Sequence, residues 1–147
     1  MYPVILATHN LVRWAAIILG IVAFGLALAS WLGTRPWSEQ NRKFGSFFGI
    51  AVDIQLLLGL LLYFTSPLVM GALQNLGAAM GNAGQRFFAV EHPTFMVLGV
   101  VFAHLGTALP RRQSDPKKKA MRAALFIGLA VLFILAGTPW DRRLLPF

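Results

Sequence analysis

The chain has 147 residues, 57% of them hydrophobic and only 12% charged, with a mean hydropathy of +0.67. A soluble domain carries about 25% charged residues, so this composition places the chain in a membrane as a single domain. The formal charge of +8 does not indicate nucleic acid, because the basic residues lie in short loops between apolar runs, and the absence of cysteine excludes disulfides, iron–sulfur clusters and covalent haem attachment.

A transmembrane helix needs roughly 20 mainly apolar residues. Four stretches qualify, at about 4–32, 44–64, 87–109 and 120–138. Backbone groups in lipid must be satisfied within their own segment, which excludes open strands. The expected fold is all-α: an integral membrane four-helix bundle, running up and down because the loops are short.

Helix one opens near Pro3. His9, Ala16, Gly20, Ala23 and Ala27 share one of its faces, with Arg13 one turn below His9. That face predicts either a close contact between helices or room for a flat cofactor beneath its ligand. Trp14 and Trp31 are candidate interface anchors, and inward packing is the alternative for Trp14. Ala27-Leu-Ala29 resembles a signal-cleavage site, but Arg13 comes late for a charged leader, and the expectation is a retained span.

The loop at 33–43 carries Arg35, Arg42 and Lys43, and the third loop, with Arg122, carries six basic residues. The second loop has only Arg86, and the tail has Arg142 and Arg143. By the positive-inside rule the first and third loops face the cytoplasm and both termini face out. The basic third loop also suits anionic lipid headgroups of the bilayer.

Helix two contains Asp53 and Gln55 within an apolar run. An ionisable group at that depth costs about 2.5–3.5 kcal/mol on insertion scales and calls for a partner or a cavity. Ser66-Pro67 then reads as an N-cap with proline at the first helical position. Leu68, Val69, Ala72, Leu73, Leu76, Ala79 and Met80 recur with helical spacing until Gly81-Asn-Ala-Gly84. One short amphipathic helix on the outer surface is expected there, as a roof or a connector.

Helix three starts near Arg86, with Pro93 kinking or opening its regular part. Gly99 and Gly106 follow nearly on the face of His92, and Met96 lies one turn along. His104 falls about 18 Å deeper than His92 at 1.5 Å per residue. Asp53 and His104 both belong to the cytoplasmic half, where they are expected to pair.

His9 and His92 each lie close to the outer end of a helix that starts outside. Facing imidazoles at one depth supply both axial ligands of a single b-type haem. Arg13 and Arg86 are candidate partners for its propionates, Gly20 and Gly99 leave space for it, and Glu91 either orients an imidazole or pairs with Arg13. A second haem at His104 lacks an opposing imidazole, since the chain has three histidines in all. Two other readings stay open. One is a non-catalytic subunit of a larger respiratory or photosynthetic complex, and the other is a copper or metal-handling protein using His9, His92 and Met96. Hydrolase elbows and phosphate loops are absent from the sequence, so an electron carrier or subunit is expected rather than a stand-alone enzyme.

Six blocks extend the reading: His9-Asn-Leu-Val-Arg13-Trp14; Arg35-Pro-Trp with Asn41-Arg-Lys43; Gln55-Leu-Leu-Leu-Gly59; Arg86-Phe-Phe-Ala-Val-Glu91-His92; His104-Leu-Gly106; and Gly137-Thr-Pro-Trp140. In these blocks, in order along nearly the whole chain, the sequence resembles a family of small bacterial four-span proteins labelled cytochrome b or cytochrome-b-like. The resemblance implies a four-helix fold in the inner membrane, haem b on His9 and His92, and electron exchange near the periplasmic face with quinone or a redox complex. Some members of that family have histidine where this chain has Asp53, so the resemblance does not extend to an inner bis-histidine site.

Overall fold

Each apolar run predicted from sequence is mostly helical in the computed structural model, which describes residues 1–142; all four helical stretches begin before the runs, and the first and fourth end before them, at Trp31 and Ala136. Helix α1 is Tyr2–Trp31, α2 is Glu39–Thr65, α6 is His92–Arg111 and α7 is Pro116–Ala136, with three short helices between α2 and α6. Arg143, counted above among the tail's basic residues, lies outside the described residues. No strand occurs among the described residues.

The ends of the long helices follow local chemistry. Gly33 takes φ +79° after α1, a left-handed conformation that costs glycine nothing. Its N–H then reaches Ser30 O at 3.3 Å, and Thr34 N–H reaches Ala29 O at 3.0 Å, the paired bonds of a Schellman stop. At the start of α2, Asn41 Oδ1 accepts the backbone N–H of Ser38 at 3.1 Å. The Asn41 amide also donates to Ser30 Oγ at 3.1 Å, which ties the end of α1 to the start of α2. Arg42 and Lys43 therefore sit on helix, bridging to Glu39 at 3.0 and 3.5 Å. Asp115 caps α7 by accepting Lys117 N–H at 3.0 Å, so the lysine run and Arg122 belong to the first turns of α7 rather than to a loop.

The outer connection departs from the single helix expected. It is three pieces: α3 at Pro67–Gln74, α4 at Leu76–Gly81 and α5 at Ala83–Arg86. Two asparagines make the breaks. Asn75 Oδ1 accepts Ala78 N–H and Asn82 Oδ1 accepts Gln85 N–H, at 3.1 and 3.0 Å. An asparagine side chain that caps the next turn competes with continuation of the previous one. Of the apolar positions expected on its inner face, Val69, Ala72 and Ala79 are buried, whereas Leu73, Leu76 and Met80 are exposed.

Between α5 and α6 the backbone forms a π-helical turn over Phe87–Glu91, closed by His92 N–H on Phe87 O. Ala83 to Arg111 thereby runs as one 29-residue helical stretch.

Helix α1 packs on α2 and α7, and α6 packs on the same two helices. The contact faces are built of alanine and glycine, with Ala16, Ala23, Ala27, Ala103, Ala123 and Ala130 all buried around Phe48. Large apolar side chains point outward instead, including Leu11, Ile18, Leu57, Leu61 and Leu132. Four helical stretches are long and apolar enough to cross a membrane: Tyr2–Trp31, Glu39–Thr65, Ala83–Arg111 and Pro116–Ala136.

Candidate cofactor site between two histidines

His9 of α1 and His92 of α6 face each other with ring centroids 6.3 Å apart and ring planes at 73°. His9 is buried at 8% exposure. Both rings line a cavity of about 490 Å³ enclosed by α1, α2, α3, α6 and the segment after α7. Small-molecule and cofactor sites fall at roughly 300–1,000 Å³ and are mostly apolar. Leu6, Leu56, Leu60, Met96, Val97 and Ile134 supply the apolar wall here.

Three residues of α2, spaced by four so that they share a face, shape the site. Gln55 donates from Nε2 to the backbone carbonyl of His9 at 3.0 Å. At Gly59 an added Cβ would sit 3.4 Å from His9 Cε1, an ordinary van der Waals contact, so α2 passes close to the ring there. Tyr63 donates its hydroxyl to Ala89 O at 2.9 Å. That carbonyl is the one Pro93, four residues on, has no N–H to satisfy. A tyrosine from a neighbouring helix thus completes the turn that carries His92.

The His92 ring is oriented from a third direction. Its Nδ1 lies 2.7 Å from Gly137 O, a carbonyl that can only accept, so Nδ1 carries the proton and Nε2 keeps its lone pair. Gly137 is required there, because a Cβ would lie 2.5 Å from Phe95 Cβ and 2.6 Å from Met96 Cε. Across the gap, His9 Nδ1 is buried and meets hydrogen-bond geometry with no group among the described residues.

The other residues expected at the site divide. Arg13 is buried, lines the cavity, and lies 3.4 Å from Asn10 Oδ1 and 5.8 Å from the Trp14 ring. Trp14 in turn meets Trp140 edge to face at 6.4 Å. Arg86 does not line the cavity. Its Nε donates to Glu91 at 2.6 Å and its Nη1 to Met80 O at 2.9 Å, which ties the outer helices to the π turn. Glu91 accordingly pairs with Arg86, not with Arg13 or an imidazole. Arg142 lines the cavity where Arg86 was expected, with its guanidinium 4.4 Å from the Phe88 ring centroid.

Gly20 and Gly99 leave no space for a cofactor. A Cβ on Gly20 would lie 2.8 Å from the Phe48 ring, and one on Gly99 would lie 2.9 Å from Ile134 Cγ1. Both are points of close helix packing, and neither lines the cavity. Asp53 and His104 pair at 2.7 Å away from the cavity, with side chains 48% and 51% exposed.

The donor set fits an iron porphyrin. An imidazole nitrogen binds a first-row metal at about 2.0–2.1 Å, so two nitrogens sharing one iron would lie about 4 Å apart, a spacing that ring centroids 6.3 Å apart allow. Among the described residues no third histidine or carboxylate joins the pair as a metal cluster. Two imidazoles are a donor set that could hold a haem iron.

Tyr63, Gly59, Gly137 and Arg142 escaped the sequence reading. For the first two a signal existed in the four-residue spacing from Gln55. For Arg142 none did, since it reaches the cavity only through the turn after α7. No protein-family model matches the chain, and neither a curated protein nor a solved structure matches it at a significant level.

Proposed function

We propose that this chain is a multi-pass membrane protein, four helices arranged up and down, that holds one haem b between His9 and His92 near the outer face and passes electrons there. The observation that carries the reading is the pair of facing imidazoles at 6.3 Å inside an apolar cavity. The belt of exposed leucines, isoleucines and valines supports lipid around the helices, and the basic first and third loops support a cytoplasmic side opposite the histidines. The resemblance to cytochrome-b-like four-span proteins agrees with this reading.

A haem bound there would supply a one-electron couple at iron, and His9 and His92 are the residues that would hold it. The chain's own residues hold and tune it. Gly137 keeps the proton of His92 on Nδ1, Gln55 braces the backbone of His9, and the apolar wall keeps water from the rings. Quinone or a redox subunit is the proposed exchange partner.

The test is a pyridine haemochrome assay on detergent-purified protein from a haem-supplied host. About one haem b per chain is expected, with alpha and Soret bands that disappear in both His9→Ala and His92→Ala. A colourless protein, or bands that survive both substitutions, ends the reading. Copper bound in place of haem moves the site to His9, His92 and Met96, which line the same cavity.

The exposed Asp53–His104 pair favours a second, compatible reading, that of a subunit. A carboxylate and an imidazole half-exposed among Ile50, Ile54 and Val101 are costly against lipid and suit a protein neighbour. Stoichiometric copurification of a larger subunit that is lost on Asp53→Leu tests it.

A further inference from the structure

At the end of the bundle away from the histidines, a second and smaller pocket opens among α1, α2, α6 and α7, and it shares no residue with the histidine cavity. Its volume is about 80 Å³, several times the space that one water needs, so it admits one small group and not a whole lipid. Three of the long helices each bring a cation to it: Arg42 from α2, Arg111 from the end of α6 and Lys119 from the start of α7. Among the described residues no carboxylate lines it.

The cations converge because the helices do. A Cβ on Gly45 would lie 3.3 Å from Thr107 Cγ2, so α2 and α6 approach closely at the pocket floor. Arg42 is three residues before Gly45 and Arg111 is four after Thr107, spacings that keep each arginine on the contact face of its helix. The nearby acids are engaged beside the pocket and not in it. Glu39 is shared between Arg42 at 3.0 Å and Lys43 at 3.5 Å, and Asp115 accepts the backbone N–H of Lys117 at 3.0 Å. Arg111 reaches a neutral partner, Ser46 Oγ, at 3.4 Å. Like charges around one opening repel, and a small anion between them relieves that repulsion. Guanidinium and ammonium groups together match the oxygens of a phosphate.

Two further features connect the pocket to a bilayer. Trp37 lines it, and tryptophan rings favour the headgroup level. Further along α2 and α6, Ile50 and Val101 are exposed, which leaves hydrocarbon against which acyl chains can lie. We propose that this pocket binds the phosphate of an anionic phospholipid through Arg111, Lys119 and Arg42. Basic pockets between membrane helices hold lipid headgroups in this way. The site is a built one, distinct from the diffuse attraction of the lysine run, and it does not depend on the haem.

The test is native mass spectrometry of the full-length protein in detergent, titrated with phosphatidylglycerol, with phosphatidylcholine of the same chains, and with inorganic phosphate. One phosphatidylglycerol per chain should bind about tenfold tighter than phosphatidylcholine. Arg111→Gln and Lys119→Gln should each weaken it by about tenfold, the scale of one charge-assisted hydrogen bond. Lys117→Gln and Lys118→Gln, which alter exposed lysines of the same run outside the pocket, should stay within about twofold of the parent chain. Arg111 is exposed at the end of its helix, so its variant keeps the fold even if Lys119→Gln does not.

Equal losses at Lys117, Lys118 and Arg111 would reduce the effect to surface charge and overturn the proposal. Equal binding of the two lipids, or no binding of either phosphatidylglycerol or phosphate, overturns it as well. Inorganic phosphate that displaces the lipid, and is itself lost in Arg111→Gln, supports the phosphate site and makes its source a soluble anion. Phosphate that fails to displace phosphatidylglycerol supports the lipid.

Discussion

His92 depends on two groups that its own helix cannot provide. The carbonyl of Gly137 sets which nitrogen bears the proton, and the hydroxyl of Tyr63 satisfies the carbonyl of Ala89 in the turn just before it. Removing the hydroxyl leaves a part-buried carbonyl unsatisfied, at about 1–3 kcal/mol. Tyr63→Phe should therefore lower thermal stability in detergent and broaden the bands of the proposed haem, while Tyr63→His, which keeps a donor, should restore part of both. An unchanged melting curve for Tyr63→Phe would show that another group satisfies Ala89. Gly137→Ala should act more strongly, because its methyl meets Phe95 Cβ and Met96 Cε at 2.5 and 2.6 Å. Relief of that clash moves the carbonyl away from His92. Loss of the proposed haem, with helical content preserved by circular dichroism, is the expected result.

Among the elements, the glycines of α6 decide how close α7 comes. A Cβ on Gly106 would lie 2.6 Å from Ile127 Cγ1 and 3.0 Å from the Ile127 backbone nitrogen. A side chain can turn aside, but a backbone nitrogen moves only with its helix. Gly106→Ala should cost about 1–3 kcal/mol, the usual scale of overpacking, and Ile127→Val should relieve only part of it; full rescue would mean that the side chain alone sets the spacing. The same physics explains why Gly20 and Gly99 hold no cofactor. Small residues on a helix face admit a ligand or a neighbouring helix equally well, and sequence periodicity cannot tell the two apart. Phe48 and Ile134 occupy those places. The outer connection carries a related lesson. Its apolar spacing was readable, but Asn75 and Asn82 stop the helix twice because their side chains cap the turns that follow.

For the whole molecule, membrane topology is the proposal most open to test. The chain has no cysteine, so single cysteines report without background. Cysteine at Gln113 should react with an impermeant maleimide only from the cytoplasmic side, and cysteine at Gly77 only from the outside. Labelling of both from one side would refute the up-and-down arrangement and with it the outer position of the histidines.

The sequence by itself determined the four long apolar helices and the place of His9 and His92, each near the start of one of them. These follow from local signals: apolar run length, capping residues, and a rise of 1.5 Å per residue. Tertiary structure alone decided which groups meet. It sent Arg86 to Glu91, brought Arg142 to the cavity, filled the glycine faces with Phe48 and Ile134, and set Tyr63 under the turn of His92. Each of those outcomes is a competition between partners distant in the chain or displaced by a turn, settled by packing and by which cation lies nearest a carboxylate, and no local pattern of residues records the winner.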